Sequence, residues 1–171
     1  MTGTDFLLFL HEMMPPRAEL EADGLSPERI EDIQATFRSV PRKPSGSSAR
    51  SELEKMIIEN DCSTVEFGFI SFLDRPLVHR HGIQVAYHEA DPIVVTPAGT
   101  IAMYDHEDPD FVIVNCAADS ERFLDALSTY LAIRQDKSKW KGRNDAAVAL
   151  CAEKAGGREY AKFSQVLCGF R

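Results

Sequence analysis

The chain has 171 residues, enough for one domain with a substantial core, and 44% of them are hydrophobic, as in an ordinary globular protein. A net charge of −8 and a pI of about 5.1 exclude a general nucleic-acid binder, because phosphate contacts need a basic surface. No segment reaches the ~20 apolar residues that cross a bilayer, so a cytoplasmic protein with no membrane contact is expected.

Residues 1–12 lack a basic leader region and a small-residue cleavage site, and read as a helix instead of a signal peptide. That helix is predicted over about 4–14, with Phe6, Leu7, Leu10, Met13 and Met14 on one face and Pro15-Pro16 ending it. Ser26 followed by Pro27 and Glu28 signals a second helix start, with Leu25 and Ile30 placed as a hydrophobic staple. Ile30, Ile33, Phe37 and Val40 carry its helical spacing to Pro41. The Pro- and Ser-rich residues 41–50 read as a flexible loop. Leu53, Met56 and Ile57 mark a third helix that ends near Asn60-Asp61.

The period then changes from helical to strand-like. Residues 65–73 are rich in β-formers, with a slip in alternation at Phe69-Ile70 that predicts a bulge or two-sided burial. Ile83, Val85 and Tyr87 alternate on a second strand. Residues 92–96 and 100–104 flank Pro97-Ala98-Gly99, a tight hairpin with Gly99 free to take positive φ. The apolar run Phe111–Cys116 predicts a last strand, placed centrally with both faces covered.

The last third returns to helix. Asp119 or Ser120 caps a helix carrying Phe123, Leu127, Tyr130, Leu131 and Arg134 along one stripe. Asn144 or Asp145 caps another, which Gly156-Gly157 ends, and a final helix spans about 158–168. Helices, then strands with short links, then helices describe a single α+β domain. Its central, mostly antiparallel sheet has about five strands over roughly 65–116.

Candidate chemistry is sparse. The cysteines at 62, 116, 151 and 168 have no C-x-x-C spacing and read as buried free thiols. His79 and His81 form an H-x-H pair, and His88 and His106 lie close to acids, but no known ligand spacing is matched, so no metal and no cofactor is expected. The acidic stretch Tyr104-Asp-His-Glu-Asp-Pro-Asp110 lacks the order of a calcium loop, while Asp108-Pro109-Asp110 is a turn signal. Between Arg134 and Arg143, five cations against one acid leave +4 locally and −12 for the remainder. Trp140 sits among them and is expected to fold onto the core as part of a helix-to-helix connection.

Four segments together resemble the SUKH superfamily, the Smi- and Knr-like proteins that include many bacterial toxin-immunity proteins: Asn60-Asp-Cys-Ser63, Val65–Phe72, Gly99–Asp105 and Asp119–Leu124. The similarity spans about residues 60–131 and implies an α+β domain that acts by binding a protein, with no catalytic residues to transfer. The expectation is therefore a non-enzymatic immunity or regulatory factor that attracts a basic protein partner, such as a toxin, through Glu89, Asp91, Asp105, Glu107, Asp108 and Asp110. The alternative is a metal- or acid-dependent hydrolase built from His79, His81, His88 and His106 with those same acids. A third option is a homodimer formed through a sheet edge or an apolar helix face.

Overall fold

The computed structural model describes residues 1–43, 46 and 48–168. Thr2 opens α1 (Gly3–Glu12) with a reciprocal cap: its hydroxyl accepts from the Asp5 amide, and its own amide donates to the Asp5 carboxylate. Phe6 and Leu10 of this helix are buried. A short α2 (Arg17–Ala22) follows Pro16. α3 (Pro27–Ala35) begins where Ser26-Pro27 predicts, with Ser26 Oγ accepting from the Arg29 amide at 3.3 Å. It stops well short of Pro41, because Val40–Pro41 (β1) leaves to pair antiparallel with Asn60–Asp61 (β2). Between these two strands, α4 (Glu52–Glu59) buries Leu53, Met56 and Ile57. Of the expected flexible loop, Pro44, Ser45 and Ser47 lie outside the described residues. Arg42 is tied down, paired with Asp74 and lying 3.3 Å from Asp61.

The sheet is an antiparallel meander of six strands in chain order: β3 (Glu66–Phe67), β4 (Ile70–His79), β5 (Gly82–His88), β6 (Asp91–Val95), β7 (Ile101–Tyr104) and β8 (Val112–Ala117). There is one strand more than expected. The slip read at Phe69-Ile70 is a chain reversal: Gly68-Phe69 turns the expected single strand into the β3–β4 hairpin, with Phe67 opposite Ile70. The predicted Pro97–Gly99 hairpin links β6 to β7, and Gly99 adopts φ +84°.

Alternation divides the sheet into two faces. Ile93, Val95, Ile101 and Met103 belong to the main core beneath the helices, whereas Val94, Ala102 and Tyr104 form a small separate cluster on the other face. Irregular registers curl the sheet. Between Phe72 and Leu77, β4 gains residues relative to β5, and β5 carries a bulge at Val85 against β6.

The expected central position of Phe111–Cys116 is corrected: β8 is the sheet's outer strand, beside β7 alone. Its apolar character serves one covered face. Val114 and Cys116 are buried, while Phe111 is 57% and Val112 40% exposed. The free edge is partly guarded by Lys162, whose Nζ donates to the Ile113 carbonyl at 3.2 Å.

α5 (Ser120–Gln135) starts as predicted: Asp119 Oδ1 accepts from the Arg122 amide at 2.8 Å, a cap of about 1 kcal/mol. It packs on α1, α4, β8 and α7 (Asn144–Ala155), and buries Phe123, Leu124, Leu127, Tyr130 and Leu131. α7 begins without the predicted cap, since Arg143 holds that position and makes no side-chain bond. A one-turn α6 (Lys137–Trp140) bridges α5 and α7, and Trp140 packs against the core as expected. After a 3₁₀ turn (Arg158–Tyr160), α8 (Ala161–Cys168) stacks Phe163 on Phe123 at 5.7 Å. Among the described residues, no helix is long and apolar enough to cross a membrane. Cys62, Cys116 and Cys151 are buried free thiols, and Cys168 is half-buried. Burial pushes the Cys62 thiol up to about 12 and the Cys116 thiol well above its usual range.

Candidate functional site

The meander brings three connections to one end of the sheet: the β3–β4 turn at Gly68-Phe69, the β5–β6 turn at Glu89-Ala90, and the β7–β8 loop over 105–111. Five of the six expected acids sit there together. Glu89 occupies the β5–β6 turn in a left-handed conformation, φ 56°, and its amide donates to the Phe69 carbonyl at 2.8 Å. Asp91 begins β6. Asp105 ends β7 and folds the next loop, with Oδ1 accepting from the amides of Glu107 (2.7 Å) and Asp108 (3.1 Å). Those two amide bonds hold the Asp105 carboxyl below its usual range. The Asp108 carbonyl then accepts from the Phe111 amide at 2.9 Å, so the turn signal at Asp108-Pro109-Asp110 is a turn.

A pair of bonds stitches the two acidic connections together. Asp91 Oδ1 accepts from the His106 amide at 3.2 Å, and His106 Nδ1 lies 2.7 Å from the same oxygen. This contact, with the surrounding carboxylates, raises the His106 imidazole above its ordinary value. Among the described residues, Glu89, Asp105, Glu107 and Asp108 make no salt bridge; Glu89, Glu107 and Asp108 are exposed and Asp105 is half-buried. Two aromatic side chains flank them: Phe69 is 56% and Phe111 57% exposed.

Asp110 separates from this group. It turns toward the β4–β5 hairpin, where Arg80 Nη1 lies 2.5 Å and His81 Nε2 2.8 Å from its two oxygens. These contacts, the His81 bond first, hold its carboxyl low. There the H-x-H pair shares one aromatic platform, with the His81 ring stacked parallel on Tyr104 at 4.9 Å and the His79 ring at 5.1 Å. Burial and the neighbouring cations lower His79. The curl of β4 brings the hairpin to Tyr104, the residue sequence reasoning missed. Its one signal is position, since Tyr104 alternates with Met103 and so leaves the main core.

The histidines do not share one centre. His88 is buried against Phe69 (5.7 Å), and its Nε2 has no partner among the described residues. One group does gather: Asp91, Asp105 and His106 offer ligand atoms within 4.8 Å of one another. Three donors, two half-buried and one exposed, fall short of the four that close a structural zinc site, and two of the three are already bonded to each other. What the arrangement provides is a negatively charged end with a fixed backbone and two aromatic anchors. No protein-family model, curated protein or solved structure matches the chain.

Proposed function

We propose that this chain is a non-enzymatic binding factor, of the immunity or regulatory kind that its SUKH-like segments suggest, and that the end of the sheet described above docks a basic protein partner. The observation that carries the reading is the pairing of unneutralised carboxylates (Glu89, Asp105, Glu107, Asp108) with the half-exposed rings of Phe69 and Phe111. Interfaces draw affinity from aromatic anchors, whereas rim charges govern the rate of encounter. The Asp91–His106 stitch fixes both loops before contact, which lowers the ordering cost of association.

The test separates charge from anchor. A partner is isolated from native lysate and its association measured with Glu89→Gln, Asp105→Asn, Glu107→Gln and Asp108→Asn combined. The on-rate should fall about tenfold at low salt, with a smaller difference at high salt. Phe69→Ala with Phe111→Ala should leave the on-rate and speed dissociation instead. An on-rate unchanged by the four neutralisations removes this end of the sheet as the docking surface. The alternative hydrolase reading draws on the Asp91, Asp105 and His106 group alone, and the titration described in the Discussion distinguishes it.

A further inference from the structure

Far along the chain from the acidic end, α5, α6 and α7 line an open cavity of about 310 Å³, a size at the lower end of small-molecule sites. Its floor is apolar: Tyr130, Ile133 and Ala147 are buried, and half-buried Trp140 forms a wall. Its mouth is cationic. Arg134 and Lys141 line it and are exposed, and among the described residues neither makes a salt bridge. Asp136, the acid nearest Arg134 in the sequence, caps α6: its Oδ1 accepts from Ser138 Oγ (3.0 Å) and from the Lys139 amide (3.2 Å). Lys139 adds a further positive charge over the indole, 6.0 Å from its centroid.

The contrast with the cleft beside β4 is instructive. There Arg42 also lines a concavity, but Asp61 and Asp74 neutralise it from within. At the mouth between α5 and α7, neither Arg134 nor Lys141 has an acid within salt-bridge distance among the described residues, on a chain whose net charge is −8. An anion carried by an apolar body satisfies both halves of the cavity. The planar guanidinium of Arg134 matches a carboxylate in particular, through two parallel hydrogen bonds.

We propose that this cavity binds a small amphipathic monocarboxylate, its apolar body between Tyr130, Ile133 and Trp140 and its carboxylate on Arg134 and Lys141. The site is independent of the partner surface proposed above. Cys168 opens onto the same cavity. The neighbouring Cys151 thiol, aided by the charge of Arg134, holds the Cys168 thiol below its usual range. It is therefore a chemical reporter of occupancy.

The experiment uses the full chain with 4-phenylbutyrate and its neutral amide, 4-phenylbutyramide. Trp140 is the only tryptophan, so its fluorescence reads the cavity directly, and the rate at which a disulfide reagent modifies Cys168 gives a second readout. The carboxylate should bind saturably and at least about tenfold more tightly than the amide, the worth of a charge-assisted pair. It should slow Cys168 modification with the same midpoint. Arg134→Gln combined with Lys141→Gln should abolish the preference, bringing the affinity of the acid down to that of the amide. Equal affinity for acid and amide, a preference that survives the double substitution, or absence of saturable change in both readouts would overturn the proposal.

Discussion

Replacing Gly82 by alanine puts a methyl group into occupied space. Gly82 closes the β4–β5 hairpin opposite His79 with φ +145°, and a Cβ built there meets the Val95 carbonyl oxygen at 2.0 Å and Thr96 Cα at 3.0 Å. A carbon and a carbonyl oxygen rest about 3.3 Å apart even in a close contact, so the end of β6 must retreat by more than an ångström. The torsion alone costs about 1–3 kcal/mol, and each ladder hydrogen bond disturbed by the retreat adds about 0.5–1.5 kcal/mol. A net loss of about 2–4 kcal/mol is expected, a large share of the roughly 5–15 kcal/mol that holds a domain together. In urea, at a slope of about 2 kcal/mol per molar, the midpoint should fall by about 1–2 M. Gly99→Ala is the control. Its φ is +84°, but nothing lies within 4 Å of an added Cβ, so it bears the torsional cost without the collision. Equal losses for the two variants would refute the reasoning, because the Val95 contact would then contribute nothing.

Two further outcomes follow from the ionisable groups. The His106 imidazole should titrate above the ordinary histidine value of about 6.5, as followed by its ring-proton NMR signal, and Asp91→Asn should lower it toward that value. Because the folded pKa is the higher one, this contact stabilises the fold fully below the unfolded pKa and ceases to do so as pH rises through the folded value. Added zinc should leave the titration unmoved; a zinc-dependent collapse of the midpoint would favour the hydrolase reading instead. Of the four thiols, Cys168 should react first with a disulfide reagent in the native state, and fully buried Cys116 last. Mass-spectrometric mapping after limited labelling reads the order, and early modification of Cys116 would contradict the packing of β8 against α5 and α8.

Local chemistry was legible in the sequence where neighbours in the chain decide the structure. Ser26-Pro27, Asp119 and Pro97–Gly99 each specify a cap or a turn within four residues, and all three do so in the fold. The pattern at 83–87 likewise marks a strand, but the bulge at Val85 breaks its alternation, placing both Val85 and Ala86 in the core and leaving Tyr87 half-buried outside it. Placement within the sheet was not legible. The run at 111–116 is apolar enough for a central strand, but strand order depends on connections elsewhere, and the meander leaves it outermost. The candidate site divides the same way. Its acids were visible as a cluster, whereas the Asp91–His106 bond joins residues 15 apart, and the His81–Tyr104 stack joins the β4–β5 turn to the end of β7. Neither a long-range register nor an irregularity in it leaves a local trace. The proximity of Cys151 and Cys168 was missed for the same reason, since it depends on how α7 and α8 pack.

The outermost strand gives the chain's final helix a protective duty. A hydrogen-bonding row that ends in open solvent invites any passing extended segment, and here the deterrent is Lys162 reaching back to Ile113. The last few turns of polypeptide thus shield a seam formed some fifty positions earlier. Trimming the chain ahead of Ala161 would remove both the ammonium and the Phe163 ring that seats it on Phe123, and the exposed seam would then be free to recruit a second chain.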